Sequence, residues 1–522
     1  MLFNSPVFLF VFLPLCLLGF AVIRRWNLRA AVTWLASASL FFYGWWNPVY
    51  VGLIVPSIIV NWAVGGWLAR TAAEGRSRRR RNTLIFGIVV NLGLLFYFKY
   101  FNFFVESLND VAGTALAVRD IVLPLGISFF TFHQIPYVVD AYAGHARPYN
   151  FLEYVLFVTF FPQLIAGPIV LHSEMMPQFE RPATFRLKDA NLAVGASIFV
   201  IGLCKKVVLA DGVAVYATPA FAAAHGGTPL TFFEAWGAAL AYTLQLYFDF
   251  SGYSDMAIGL GRLFGIRLPL NFNSPYKALN IIDFWRRWHM TLSRFLRNYL
   301  YIPLGGNRHG TTRRYVNLMI TMLLGGLWHG AGWTFVIWGG LHGLYLVVNH
   351  LWHTVMQGYR SGRLVPARVS RAGAQVLTFT AVVVAWVFFR AESLEGALNI
   401  LRGMIGANGF LLPKSYLGAL GPVGAALGDL GWRFESDAGY FLGSAELVWL
   451  GTLSLVSWFA PNSQEIMRAY RPALGFFRGD AQRFGRHARW RPNFRWAALV
   501  ALIATVSMLS LNRVTEFLYF QF

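Results

Sequence analysis

The chain has 522 residues, 57% of them hydrophobic and only 13% charged, with a mean hydropathy of +0.50. Soluble domains carry roughly 25% charged residues, so this composition excludes a water-soluble globular protein and requires several membrane-spanning helices. The net charge of +21 does not point to nucleic acid, because the basic residues fall in short runs between apolar segments, the pattern of positive-inside loops.

Apolar runs predict helices over 5–23, 31–46, 49–68, 83–104, 121–142, 151–171, 191–210, 230–250, 315–330, 333–352, 373–391, 440–460 and 495–512. Each approaches the roughly 20 residues needed to cross about 30 Å of hydrocarbon. The fold class is therefore all-α, a polytopic integral membrane protein with about eleven to thirteen spanning or re-entrant helices. In the first run the apolar core comes before Arg24 and Arg25, the reverse of a cleavable signal, and so reads as a retained helix. Cys16 and Cys204 stand in apolar stretches without disulfide or metal spacing.

Charge sets the expected orientation. Arg24, Arg25 and Arg29 follow the first run, and Arg70, Arg76 and Arg78 to Arg81 follow the third. Further clusters precede the run at 373–391 (Arg360, Arg363, Arg368, Arg371) and the last run (478–495). Placing these loops in the cytoplasm predicts that both termini are extracytoplasmic. Residues 276–314 carry eight basic residues against Asp283, interleaved with Trp285, Trp288 and Tyr299. That pattern predicts a helical stretch along the cytoplasmic surface. Residues 404–439, rich in Gly and Pro, read as an outside loop. No internal repeat supports an inverted-repeat transporter.

Ionisable groups in apolar surroundings are functional candidates, because an unpaired charge at membrane depth costs several kcal/mol. They are His133, Asp140, Asp249, Asp255, Asp283, His289, His329 and His342. His329 stands among Gly325, Gly326, Gly330 and Gly332, which leave room for a substrate beside the imidazole or let helices pack closely. A neutral imidazole can take a proton from a hydroxyl. His289 lies in the basic segment, where an interfacial histidine is the plain alternative. Asp249 and Asp255 are six residues apart, face different directions on a helix, and are expected to pair separately. That helix is predicted to end at Gly252, with Ser251, Tyr253 and Ser254 satisfying its terminus. HExxH, P-loop and GxSxG motifs are absent, and His342, His350 and His353 lack the flanking ligands of a zinc site.

Six segments together carry a family resemblance: PLGISFFTF at 124–132, FPQLIAGP at 161–168, YFDFSGYSD at 247–255, NFNSPY at 271–276, FWRRWH at 284–289 and GLWHG at 326–330. The chain resembles the membrane-bound O-acyltransferase (MBOAT) family, in the bacterial branch containing the alginate O-acetyltransferase membrane subunit. The resemblance covers nearly the whole chain and implies one membrane domain, with N-terminal helices in 1–120, a catalytic core in 121–352 and C-terminal helices in 353–522. It implies transfer of an acetyl group from a cytoplasmic thioester, acetyl-CoA, across the inner membrane to an exopolysaccharide of the alginate type. The same chemistry on peptidoglycan, cellulose or teichoic acid is the alternative, and a lipid-linked sugar transporter a distant one.

The resemblance assigns catalysis to His329 and places His289 as the second histidine. Arg286, Arg287, Arg294 and Arg297, with Trp285 and Trp288, would then form a cationic, aromatic mouth for the donor. Asp249, Asp255 and Asp283 would support it. Neither a metal nor a bound cofactor is expected, and the implied partners are membrane lipids and extracytoplasmic proteins of a polysaccharide-modification system. Tyr519, in the aromatic tail at 517–522, is a candidate acyl relay or part of an interfacial aromatic belt.

Overall fold

The computed structural model describes residues 1–357, 367–475, 489–511 and 518. Helices dominate. In chain order they are α1 (Leu13–Trp26, preceded by a π turn at Phe8–Phe12), α2 (Leu28–Gly44), α3 (Val51–Arg70), α4 (Arg78–Leu95), α5 (Phe101–Ala112), α6 (Ile127–Ala143), α7 (Phe151–Thr159) and α8 (Phe161–Leu164). There follow α9 (His172–Phe179), α10 (Asp189–Cys204), α11 (Asp211–His225), α12 (Phe232–Leu263), α13 (Ile281–Trp285), α14 (Met290–Leu296), α15 (Gly310–His329) and α16 (Trp333–Gln357). The last are α17 (Ala367–Arg390), α18 (Leu394–Met404), α19 (Lys414–Leu420), α20 (Pro422–Asp429), α21 (Ser444–Phe459), α22 (Ser463–Ile466) and α23 (Phe494–Leu509). Among the described residues five stretches are long and apolar enough to cross a membrane: Phe8–Trp26, Pro48–Arg70, Arg78–Ala112, Asp189–His225 and Ser370–Arg390.

Every predicted run contains a helix, but three boundaries differ for physical reasons. Residues 121–126 are non-helical and end in a turn at Gly126, whose φ of +70° starts α6 from a left-handed residue. The run at 151–171 breaks at Phe160, and Pro162 falls in the first turn of α8, because in a continuous helix proline would lack the N–H and clash with the carbonyl four residues back. The helix expected to end at Gly252 instead continues to Leu263. Glycine in a helix interior costs only about 1 kcal/mol, which packing of the buried flanks outweighs.

Residues 404–439 are not a plain loop. A parallel two-stranded ladder joins β1 (Leu411–Pro413) to β2 (Arg433–Glu435), with α19 and α20 between them. Phe410 stacks on Trp432 at 4.7 Å. Glu234 ties the segment down, accepting from the Thr231 hydroxyl and from the main-chain N–H groups of Thr231 and Tyr440.

Close Cα neighbours group the chain into two compact units. The first draws on the described residues of Met1–Leu203, Tyr253–Asn271 and Ser463–Asn512, the second on those of Cys204–Gly252, Phe272–Asn462 and Arg513–Phe522. The core of the first is aromatic: Phe3 stacks on Tyr253 at 4.6 Å, and Phe8, Phe12, Phe42 and Phe161 close around it. Here α10 and α12 touch through glycine, for a Cβ on Gly259 would meet the Gly195 carbonyl at 2.7 Å. Arg80, one of the basic-loop arginines, is buried, and its guanidinium donates to the carbonyls of Leu68 and Tyr142 at the ends of α3 and α6. It thus supplies donors that helix C-termini lack. Asp255 also belongs to this unit and accepts from Ser463 Oγ at 2.8 Å and Gln464 Nε2 at 3.4 Å.

Candidate active site

The second unit brings the two histidines together. α15 and α16 run back to back, joined by a turn at 330–332. Their approach is set by glycine: a Cβ on Gly326 would strike the Phe335 carbonyl and one on Gly339 the Met322 carbonyl, while a Cβ on Gly330 would enter the Phe335 ring. These glycines therefore serve close packing, one of the two readings open from sequence. Gly339→Val is expected to lose about 1–3 kcal/mol through overpacking, visible as a lower unfolding temperature of the purified protein in detergent.

That packing delivers His329, the last residue of α15, into an aromatic enclosure. Its ring lies 4.9 Å from Trp328, 5.0 Å from Trp338 and 5.2 Å from Phe389, centroid to centroid, and it is 5% exposed. His289 reaches the same place by another route. It sits between the short helices α13 and α14 with φ +40° and ψ +53°, a left-handed conformation unusual for a non-glycine residue. The turn is held from outside. Asn273 N–H donates to the Arg287 carbonyl at 2.9 Å, the Arg287 guanidinium returns to the Asn273 carbonyl, and Asn462 binds Asn273 and Ser274. Phe250 then meets the His289 ring edge-on at 4.8 Å, and the two imidazole centroids are 6.2 Å apart. His289 is fully buried, and that burial pushes its imidazole down to about 3, so it is neutral at physiological pH.

The supporting carboxylates have different roles. Asp249 and Asp211 flank Lys206, with its Nζ 2.8 Å from Asp249 Oδ1 and 2.7 Å from Asp211 Oδ1, and all three are almost completely buried. The main-chain N–H of Leu518 also donates to Asp249. Asp249 thus pairs with a lysine. Asp283 pairs with Arg287 one helical turn on, at 2.9 Å.

The expected donor mouth divides in two. Arg286 and Arg297 are exposed, whereas Arg287 is engaged by Asp283 and Asn273, and Arg294 is half-buried. Trp285 and Trp288 face inward: Trp285 packs on Trp338 and His342, Trp288 on Trp386 and Phe272. They build the wall behind the histidines. Tyr519 lies outside the described residues. Sequence reasoning missed Lys206 and Trp338. Lys206 finds its partner Asp249 far along the chain, and Trp338 carried no signal beyond its i, i+4 spacing to His342.

Two buried imidazoles thus lie about 6 Å apart, one ending a glycine-packed helix and one fixed in a left-handed turn. A family model described as MBOAT, membrane-bound O-acyltransferase family, matches residues 80–389, and the chain belongs to that family; it is a membrane acyltransferase. Among its relatives, the peptidoglycan O-acetyltransferase of Helicobacter pylori is 46% identical over 79% of this chain and 81% of its own length. The probable alginate O-acetylase AlgI of Pseudomonas aeruginosa is 38% identical over the full length of both. The teichoic acid D-alanyltransferase of Streptococcus thermophilus is 28% identical over 53% of this chain and 69% of its own.

Proposed function

We propose that this protein moves an acetyl group from acetyl-CoA on the cytoplasmic side to a hydroxyl of an extracytoplasmic polymer, an exopolysaccharide of the alginate type in the first instance. The observation that carries the reading is the His289–His329 pair, 6.2 Å apart inside an aromatic enclosure. His329 acts as general base on the acceptor hydroxyl; the hydroxyl oxygen attacks the thioester carbonyl, the C–S bond breaks, and the thiolate leaves with the proton held by His329. Neutral His289 can donate one N–H toward the oxyanion. The exposed Arg286 and Arg297 offer charge to the phosphates of the donor.

The basic loops support an inner-membrane orientation with the 276–314 segment facing the cytoplasm and both termini outside. Extracytoplasmic acceptor proteins are the partners this arrangement calls for, and anionic lipids meet the basic loops. Peptidoglycan is the second reading of the acceptor, favoured by the 46% identity to the Helicobacter pylori enzyme. Proteoliposomes supplied with labelled acetyl-CoA on one side, and alginate or peptidoglycan fragments on the other, test both. Label in one polymer identifies the acceptor. Label in neither, with the partner proteins present, overturns the reading.

A further inference from the structure

A second constellation of ionisable groups lies in the first unit. Near the end of α6, Asp140 Oδ2 accepts from His172 Nε2 at 2.9 Å, and His172 Nδ1 lies 2.9 Å from Tyr149 Oη. His172 opens α9 and is 1% exposed, Tyr149 lies in the loop before α7 and is 9% exposed, and the Asp140 side chain is 21% exposed. The carboxylate determines the tautomer. With Nε2–H committed to Asp140, a neutral imidazole presents the Nδ1 lone pair, so the Tyr149 hydroxyl donates to it. Carboxylate, imidazole and hydroxyl in that order are an orienting group, a base and a nucleophile.

The loop does not need this chain of bonds to stay in place. Trp62 Nε1–H donates to the Tyr149 carbonyl at 2.8 Å, Arg147 pairs with Glu180, and Asn150 caps α7 by accepting from Leu152 N–H at 3.0 Å. Tyr137 backs the Tyr149 ring at 5.2 Å. Burial pushes the Tyr149 phenol up to about 12, so it stays protonated unless a base takes its proton, and His172 is the base in reach.

We propose that Asp140, His172 and Tyr149 form a nucleophilic centre, at which Tyr149 Oη accepts an acyl group from a thioester or activated ester. The Oη–C bond forms as the C–S bond of the thioester breaks; the phenol proton passes to His172 Nδ1 and then to the departing thiolate. The product is an aryl ester, which a hydroxyl or water discharges with His172 again as base. The choice of thioester rests on the proposed function, but the activation of the phenol does not.

The test separates the two. The full-length protein in detergent is treated with an aryl sulfonyl fluoride, or with acetyl-CoA, and each tyrosine is read by peptide mass spectrometry. Tyr149 is expected to be modified in preference to the other tyrosines, and His172→Gln to lower its modification about 10²-fold, the usual worth of a positioned base. Asp140→Asn, which keeps a hydrogen bond to the ring, is expected to lower it less, and serves as the second variant should His172→Gln not fold. His329→Ala is expected to leave Tyr149 labelling unchanged, so failure of this centre and failure of the transferase reading give different results. Labelling at the level of the other tyrosines, or indifferent to both variants, reduces the three residues to a tether. Sulfonylation without acetylation by acetyl-CoA or by an aryl acetate removes the acyl-transfer step.

Discussion

Replacing His329 with alanine is expected to lower acyl transfer by about 10²–10⁴-fold, the contribution of a general base, while leaving the amount of folded protein in the membrane nearly unchanged. The imidazole is enclosed by Trp328, Trp338 and Phe389, yet the α15–α16 packing rests on Gly326 and Gly339 rather than on this ring. Loss of the side chain removes the proton acceptor and leaves the scaffold. The measurement is turnover of a labelled thioester beside the unfolding temperature of the same preparation. Undiminished turnover would take His329 out of the mechanism, and a collapse in unfolding temperature would make its role structural.

The second large effect is expected at Lys206. Changing it to methionine preserves length and bulk but leaves Asp211 and Asp249 buried without their cation. Breaking a buried ion pair from one side costs about 3–5 kcal/mol, a large share of the stability of any fold. The variant should be recovered in much lower amount and unfold at lower temperature. Because the fault is uncompensated charge, adding Asp211→Asn and Asp249→Asn to Lys206→Met is expected to restore much of the loss. If Lys206→Met is as stable as the parent, the triad is not a structural charge cluster.

Much of the fold was readable because membrane helices announce themselves through apolar length. Both histidines were readable as polar groups in apolar or aromatic surroundings. What stayed hidden has common causes. Lys206 reaches Asp249 across 43 positions in the chain, a pairing no local periodicity reveals. The continuation of α12 past Gly252 was hidden by a glycine that reads as a terminator when its packed neighbours are unknown. Trp285 and Trp288 looked like an interfacial face because they alternate with arginines, but short helices and a left-handed residue at 289 turn them inward. Their direction is a tertiary property, and a linear pattern cannot report it.

The helices that carry the site are not the ones best suited to enter a bilayer. α12, α15 and α16 bear Asp249, His329 and His342, and none of the three is among the five stretches that are apolar enough to cross unaided. During synthesis each aspartate or lysine near the middle of a span adds about 2.5–3.5 kcal/mol against partitioning into lipid. α12, with Asp249 near its middle, is therefore expected to depend on an earlier partner, and the apolar stretch Asp189–His225 that carries Lys206 precedes it in the chain. Four of the five apolar stretches precede these helices in the chain, so most of the hydrophobic frame is laid down before the chemistry is threaded into it.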